Sequence, residues 1–137
     1  MTPNRDFSAG HIIGPLALTP GPADLFMFSA VTWNRHQIHY NKDRALAEGL
    51  PDVVVQRGLI GNYIARMLAA WLKGAGRIEA LSWRVVKSAP VNRELVFQGI
   101  ISSIESHSNG DILRCSVEGR LAGEIFATAE ATLRLGR

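Results

Sequence analysis

The chain has 137 residues, of which 47% are hydrophobic and 20% charged, and this composition predicts one globular domain rather than a disordered segment. The formal net charge is only +3, and no run of lysine and arginine alternates with aromatic residues, so nucleic-acid binding is not expected. A single cysteine, Cys115, excludes an intramolecular disulfide, and the N-terminus lacks a basic segment leading into an apolar one, so we expect a cytoplasmic protein without a membrane span.

The N-terminal part of the chain differs in character from the remainder. Residues 1–22 are rich in proline, glycine and polar residues, and they predict an arm that contains at most one short strand, within 11–18. From residue 23 onwards the pattern becomes apolar and regular. We therefore expect the folded domain to cover residues 23–137.

Three helices are predicted in the first half of the domain. A short one over 24–32 begins at Asp24, and a second over 42–48 is capped by Asn41. The third and longest runs from Gly58 to Leu72, because its apolar residues recur as adjacent pairs four positions apart. These are Leu59, Ile60, Tyr63, Ile64, Met67, Leu68, Trp71 and Leu72.

The second half of the domain alternates with the period of β-strands. Strands are predicted over 78–88 and 94–105, and the Asn-Gly pair within 108–111 predicts a tight hairpin. A third strand surrounds Cys115, and Ala122-Gly123 can form the next turn. The last strand carries small apolar residues on one face, namely Ile125, Ala127, Ala129, Ala131 and Leu133. An antiparallel sheet wrapped around one long central helix is an α+β fold, the hotdog architecture.

The segment 33–40, with the sequence WNRHQIHY, concentrates the residues suited to acid and base chemistry. It holds two of the four histidines, His36 and His39, and Asn34 precedes them. Histidine is the side chain whose ordinary pKa lies nearest to neutral pH, so it can take up or release a proton there. No third carboxylate or cysteine ligand accompanies the two histidines, so no metal site is expected.

The segment 28–40 followed by an apolar helix resembles the MaoC-like (R-specific) enoyl-CoA hydratase and dehydratase family, whose fold is the hotdog. The signature of that family is similar to Asp-x-Asn-Pro-Ile-His, and here His39 falls at its histidine and Asn34 at its aspartate. The stretch from Asp52 to Trp71 also resembles the small subunits of actinobacterial steroid side-chain enoyl-CoA hydratases. Such subunits work beside a second hotdog chain.

The resemblance implies reversible addition of water across the 2,3 double bond of an acyl-CoA thioester, without a cofactor. It implies that His39 is the acid or base and that Asn34 orients the water. Backbone N–H donors for the thioester oxygen are expected around Arg57, Gly58 and Leu59, at the N-terminus of the long helix. Further substrate contacts are expected at Gln56, Asn62 and His36.

Two departures from the family pattern leave alternatives open. Asn34 cannot accept a proton as a carboxylate does, and Arg57 stands where many relatives carry glycine. A non-catalytic acyl-CoA-binding subunit is therefore one alternative, and proton transfer on a polyketide-like substrate, as a cyclase or isomerase, is another. A thioesterase is disfavoured, because Asp52 is the nearest carboxylate and precedes the helix. A homodimer, or a heterodimer with another hotdog chain, is expected from the exposed edge strand.

Overall fold

The computed structural model describes residues 8–136, which form a five-stranded antiparallel sheet, three α-helices and one 3₁₀ helix. The strands lie in the order β1-β3-β4-β5-β2, and the predicted α+β class is confirmed. In chain order the elements are β1 (Ile12–Leu18), α1 (Pro22–Thr32), the 3₁₀ helix (Gln37–His39), α2 (Lys42–Ala47), α3 (Arg57–Leu72), β2 (Gly76–Val85), β3 (Leu95–His107), β4 (Gly110–Leu121) and β5 (Glu124–Leu135).

Helix α3 lies against the sheet through one apolar face. Ile60, Ile64 and Leu68 are fully buried, at the four-residue spacing that brings side chains onto one side of a helix. They pack with buried strand residues such as Phe97 and Leu133 in one hydrophobic core. Among the helices of residues 8–136, none combines the length and apolar character that a membrane crossing requires.

The strand near the N-terminus belongs to the same sheet. Residues of β1 pair antiparallel with β3, and the register shifts between Ile13 and Leu16, around the Gly-Pro pair that interrupts the strand pattern. Ile13 is fully buried in the core. Residues Ile12–Leu18 thus form a strand of this sheet, and residues 1–7 lie outside the described residues.

The start of α1 differs from the prediction. The helix does not begin at Asp24. It begins at Pro22, and Gly21 occupies the N-cap position. The Asp24 carboxylate instead accepts a hydrogen bond from the Gly21 N–H at 2.8 Å, which satisfies a donor that the helix itself leaves unpaired. For α2 the predicted cap is confirmed, since Asn41 Oδ1 accepts from the Arg44 N–H at 3.2 Å.

The β3–β4 hairpin turns one residue earlier than its Asn-Gly pair predicts. His107 pairs with Gly110, so the two loop residues are Ser108 and Asn109, and Gly110 opens β4 with a φ angle of 132°. The predicted turn at residues 122–123 is confirmed, and both of its residues have positive φ angles.

A bulge changes which residue of β5 faces the core. Gly119 pairs with Ala127 while Arg120 pairs with Ile125, so Phe126 is the extra residue. Phe126 is buried and Ile125 is exposed. The expectation that Ile125 belongs to the apolar face was wrong, because a bulge reverses the alternation on one side of it.

The first half of α3 is held to the edge strand β2 by a close contact between Gly61 and Trp83. The Trp83 indole N–H donates to the Arg57 carbonyl at 2.9 Å, and its ring lies against Gly61. A methyl group at Gly61 would overlap the ring. Glycine is therefore required here for the close approach of two elements.

We expect Gly61→Ala to lower the free energy of unfolding by about 1–3 kcal/mol, because overpacking outweighs the better helix propensity of alanine. Chemical denaturation of Gly61→Ala, Trp83→Leu and the double variant measures the effect. In the Trp83→Leu background the alanine should be neutral or stabilising. Equal destabilisation in both backgrounds would show that the ring contact is not the cause.

Candidate active site

His39 is the best-defined titratable group of the site. It ends the 3₁₀ helix and is only 8% exposed. Its ring Nδ1 lies 2.7 Å from the Val54 carbonyl oxygen, which can only accept, so Nδ1 carries the proton. The neutral ring therefore has its lone pair on Nε2, where it can accept a proton from a bound molecule.

The surroundings of His39 favour the neutral ring. Burial lowers the pKa of His39 below its ordinary value of 6.5, the hydrogen bond to Val54 opposes this, and the nearby His36 ring lowers it further. The centroids of the two imidazole rings are 6.0 Å apart, and the ring planes meet at 67°. These surroundings therefore favour the neutral form of His39 at neutral pH.

Asn34 begins the loop that carries the two histidines. Trp33 ends α1 in the left-handed conformation, with a φ angle of 58°, and the Asn34 N–H donates to the Ser29 carbonyl at 3.0 Å. Asn34 Oδ1 accepts from the His36 N–H at 3.2 Å, which tightens the loop. Asn34 is half-buried, and its Nδ2 has no hydrogen-bond partner within residues 8–136. That nitrogen remains a donor for a bound molecule.

His36 has a local structural role. Its Nδ1 accepts from the Ile38 N–H at 3.4 Å, which caps the 3₁₀ helix, and the side chain is otherwise exposed. The Ile38 carbonyl in turn accepts from the Val54 N–H at 3.0 Å. Together with the bond from His39, this contact seats the 3₁₀ helix on both polar groups of Val54.

The N-terminus of α3 lies three residues after Val54, at Arg57. The first hydrogen bond of the helix runs from Ile60 N–H to Gln56 O at 3.1 Å, so the N–H groups of Arg57, Gly58 and Leu59 have no intrahelical partner. A methyl group at Gly58 would lie 2.9 Å from Phe28 Cζ, so the half-buried Phe28 ring packs against this turn. The arrangement offers N–H donors next to an apolar side chain.

The remaining sequence-predicted residues fall in different environments. The exposed Arg57 guanidinium turns towards β2, where it lies 3.4 Å from the Trp83 carbonyl. Asn62 is exposed on α3, whereas Gln56 is fully buried and its amide donates to α1. Gly58 and Leu59 therefore lie at the helix N-terminus as expected. The Gln56 amide nitrogen already donates hydrogen bonds within the protein, to Leu25 and Ser29.

A sequence profile of the family described as hydroxyacyl-thioester dehydratase type 2 matches residues 4–92, which include the whole site described above. The chain belongs to the hydroxyacyl-thioester dehydratase type 2 family. Membership supports a hydratase or dehydratase role. No curated protein matches the chain significantly.

Solved structures share the fold of this hydroxyacyl-thioester dehydratase family member across most of its length. An (R)-hydratase from A. caviae involved in PHA biosynthesis is 16% identical with a TM-score of 0.87, and the match covers 96% of this chain and 98% of that one. The ChsH1–ChsH2 complex from Mycobacterium tuberculosis matches at 19% identity and a TM-score of 0.84, over 93% and 97%. The HadBC (3R-hydroxyacyl-ACP dehydratase) complex from the same organism matches at 15% identity with a TM-score of 0.79. That match covers 93% of this chain and 97% of the other. These likenesses confirm the hotdog fold.

Two features of this family member escaped the sequence analysis. Ser29 accepts hydrogen bonds from both Gln56 and Asn34, and Phe28 packs against Gly58, yet both lie in a short apolar stretch without a distinguishing pattern. Only their contacts with residues about thirty positions away reveal them. Within residues 8–136, no group of three or more His, Cys, Asp or Glu side chains is arranged to hold a metal ion.

A separate cleft of about 500 Å³ is lined by parts of residues 50–51, 87–93 and 121–126. Its lining includes Lys87, Arg93 and the apolar Phe126. Lys87 is paired with Glu124 at 2.9 Å, while the Arg93 guanidinium has no carboxylate partner within residues 8–136. The cleft does not include any residue of the 33–40 segment.

We expect His39 to titrate below 6.5 as the Nδ1–H tautomer, which ¹⁵N-edited NMR of the histidine rings measures directly. The unfolded chain takes up this proton at higher pH than the folded one. The free energy of unfolding should therefore decrease, and the protein become less stable, as pH drops from 6.5 through the lowered pKa of His39. His39→Phe should remove that part of the pH dependence. A His39 pKa at or above 6.5 would contradict the assignment.

Proposed function

We propose that the chain hydrates trans-2-enoyl-CoA thioesters, and dehydrates the corresponding 3-hydroxyacyl-CoA, with His39 as the acid and base. The observation that carries this proposal is the Nδ1–H bond from buried His39 to Val54, which leaves Nε2 as a neutral base. The family description, a hydroxyacyl-thioester dehydratase, supports the same reaction class.

Hydration requires His39 to take up one proton from water and then to give one proton to the substrate. In hydration, His39 Nε2 takes a proton from water as the water oxygen bonds to C3, and the π electrons move onto the thioester carbonyl oxygen. The imidazolium then returns the proton to C2 as the carbonyl re-forms. Dehydration reverses these steps, so neither direction needs a redox partner or a cofactor.

Asn34 is proposed to hold the reacting water or hydroxyl group. An amide cannot serve as the base, but its unpaired Nδ2 donates to an oxygen, and this leaves the proton transfer to His39 alone. Unlike a carboxylate, the neutral amide adds no negative charge that would stabilise the imidazolium, which favours return of the proton from His39.

The negative charge that develops on the thioester oxygen is proposed to lie at the N-terminus of α3. The N–H groups of Gly58 and Leu59, which lack an intrahelical partner, are suitable donors, and the Phe28 ring packs against Gly58 beside them. The exposed His36, Arg57 and Asn62 are proposed to contact the remainder of the thioester.

We expect purified protein to consume the enoyl-thioester absorbance of crotonyl-CoA, or of a longer enoyl-CoA, and His39→Ala to lower kcat/KM at least about 100-fold, because it removes the general base. His107→Ala is the matched control, since His107 is exposed at the end of β3. Full activity in His39→Ala would refute the assignment. An inactive wild-type chain would favour the second function below.

A non-catalytic subunit of a heteromeric hydratase is the second candidate, and two observations favour it. Asn34 replaces the carboxylate of the related signature, and two of the similar structures are described as complexes. Strand β2 ends the sheet with ten residues and with Leu81, Trp83 and Val85 half-buried, so its free edge is suited to pairing with another chain.

We expect light scattering of the purified chain to give about twice its mass of 15.0 kDa if β2 pairs with β2 of a second copy. A mass near 15.0 kDa, with hydration appearing only after addition of a second hotdog chain, would instead identify a heteromeric subunit. The mass should be measured at a series of protein concentrations that extends into the nanomolar range, because a weak dimer dissociates on dilution and a stable one does not.

A further inference from the structure

Gln56 makes the polar connection between α1 and the start of α3. Its side chain is fully buried, and Nε2 donates to the Leu25 carbonyl at 2.6 Å and to Ser29 Oγ at 2.9 Å. Both acceptors lie on α1, 31 and 27 residues earlier in the chain. A residue at the N-cap position of a helix commonly caps that helix, but Gln56 makes no such bond.

The amide orientation of Gln56 is fixed by its neighbours. Exchanging its oxygen and nitrogen would place two acceptors, Oε1 and the Leu25 carbonyl, against each other. In the observed orientation Oε1 is buried without a hydrogen-bond partner within residues 8–136. The protein therefore tolerates an unpaired acceptor in order to keep two donated bonds, whereas an apolar side chain would fill the same space without that penalty.

The connection extends from Gln56 to the loop from Asn34 to His39. Ser29 accepts from Gln56 through its hydroxyl and from the Asn34 N–H through its carbonyl, at 2.9 and 3.0 Å. Asn34 accepts from the His36 N–H, and His39 donates to Val54, two residues before Gln56. The His39 N–H also donates to the His36 carbonyl at 3.3 Å, so hydrogen bonds run from Gln56 through Ser29, Asn34, His36 and His39 to Val54. The backbone from Val54 to Gln56 closes the ring.

We propose that Gln56 is a positioning residue that fixes the loop from Asn34 to His39 relative to the N-terminus of α3. Through Ser29 it holds one end of the loop, while Val54 holds the other. Catalysis needs Nε2 of His39 and the N–H donors of α3 to face one substrate, and a displacement of about 1 Å between such groups can cost about 100-fold in rate. The inference rests on the proposed function for its kinetic consequence, but its structural content does not depend on turnover.

The experiment compares Gln56→Met, which keeps the volume and removes both donors, with Gln98→Met, which makes the same change at an exposed position of β3. The first readout is the His39 titration by NMR. In Gln56→Met a loosened loop admits water, and the pKa of His39 should rise towards 6.5. Gln98→Met should leave it unchanged. An unchanged His39 titration in folded Gln56→Met would overturn the proposal, whether or not the wild type hydrates enoyl-CoA.

The second readout is kinetic, with the enoyl-CoA that the wild type consumes. Gln56→Met should lower kcat about 10- to 100-fold with KM within about threefold, because the loop is displaced while the substrate contacts remain. Ser29→Ala should give a smaller loss, and the double variant should resemble Gln56→Met alone, because both changes cut the same connection. Losses that multiply in the double variant, or a loss confined to KM, would overturn the proposal.

Discussion

The buried extended segment from Val53 to Gln56 imposes the constraint on which the site depends. Its backbone polar groups are removed from water and must find partners in the protein. Loop residues Ala89 and Val91 supply partners on one side, and the 3₁₀ helix supplies them for Val54 on the other. The hydrogen bonds that satisfy Val54 therefore also hold the 3₁₀ helix, which ends in His39, against the segment that leads into α3.

Electrostatics within the site follow from this seating. The Val54 carbonyl selects the Nδ1–H tautomer, and burial together with the neighbouring His36 favours the neutral ring. A carboxylate in place of Asn34 would stabilise the imidazolium, whereas an amide does not. The site thus combines a neutral histidine with uncharged donors. In the proposed reaction the charge of His39 changes while negative charge develops on the thioester oxygen.

The sequence predicted those features of the fold that short-range periodicity encodes. The apolar pairs of α3, the alternation in the strands and the turn at residues 122–123 all appear in the structure, because each depends on neighbours within a few positions. The motif 33–40 likewise indicated His39 and Asn34 as candidates. The proposed roles of these two residues in catalysis remain predictions.

Only the tertiary structure decided the details that depend on residues far apart in the chain. The bulge that buries Phe126 instead of Ile125 arises from pairing with β4, and the shifted hairpin loop at residues 108–109 arises from the register of β3. The tautomer of His39 depends on Val54, and the connection from Gln56 depends on Ser29. Sequence by itself determined the fold class and the chemical groups available, because local preference and composition carry that information. Which of those groups meet, and in which protonation state, was decided by long-range packing and burial.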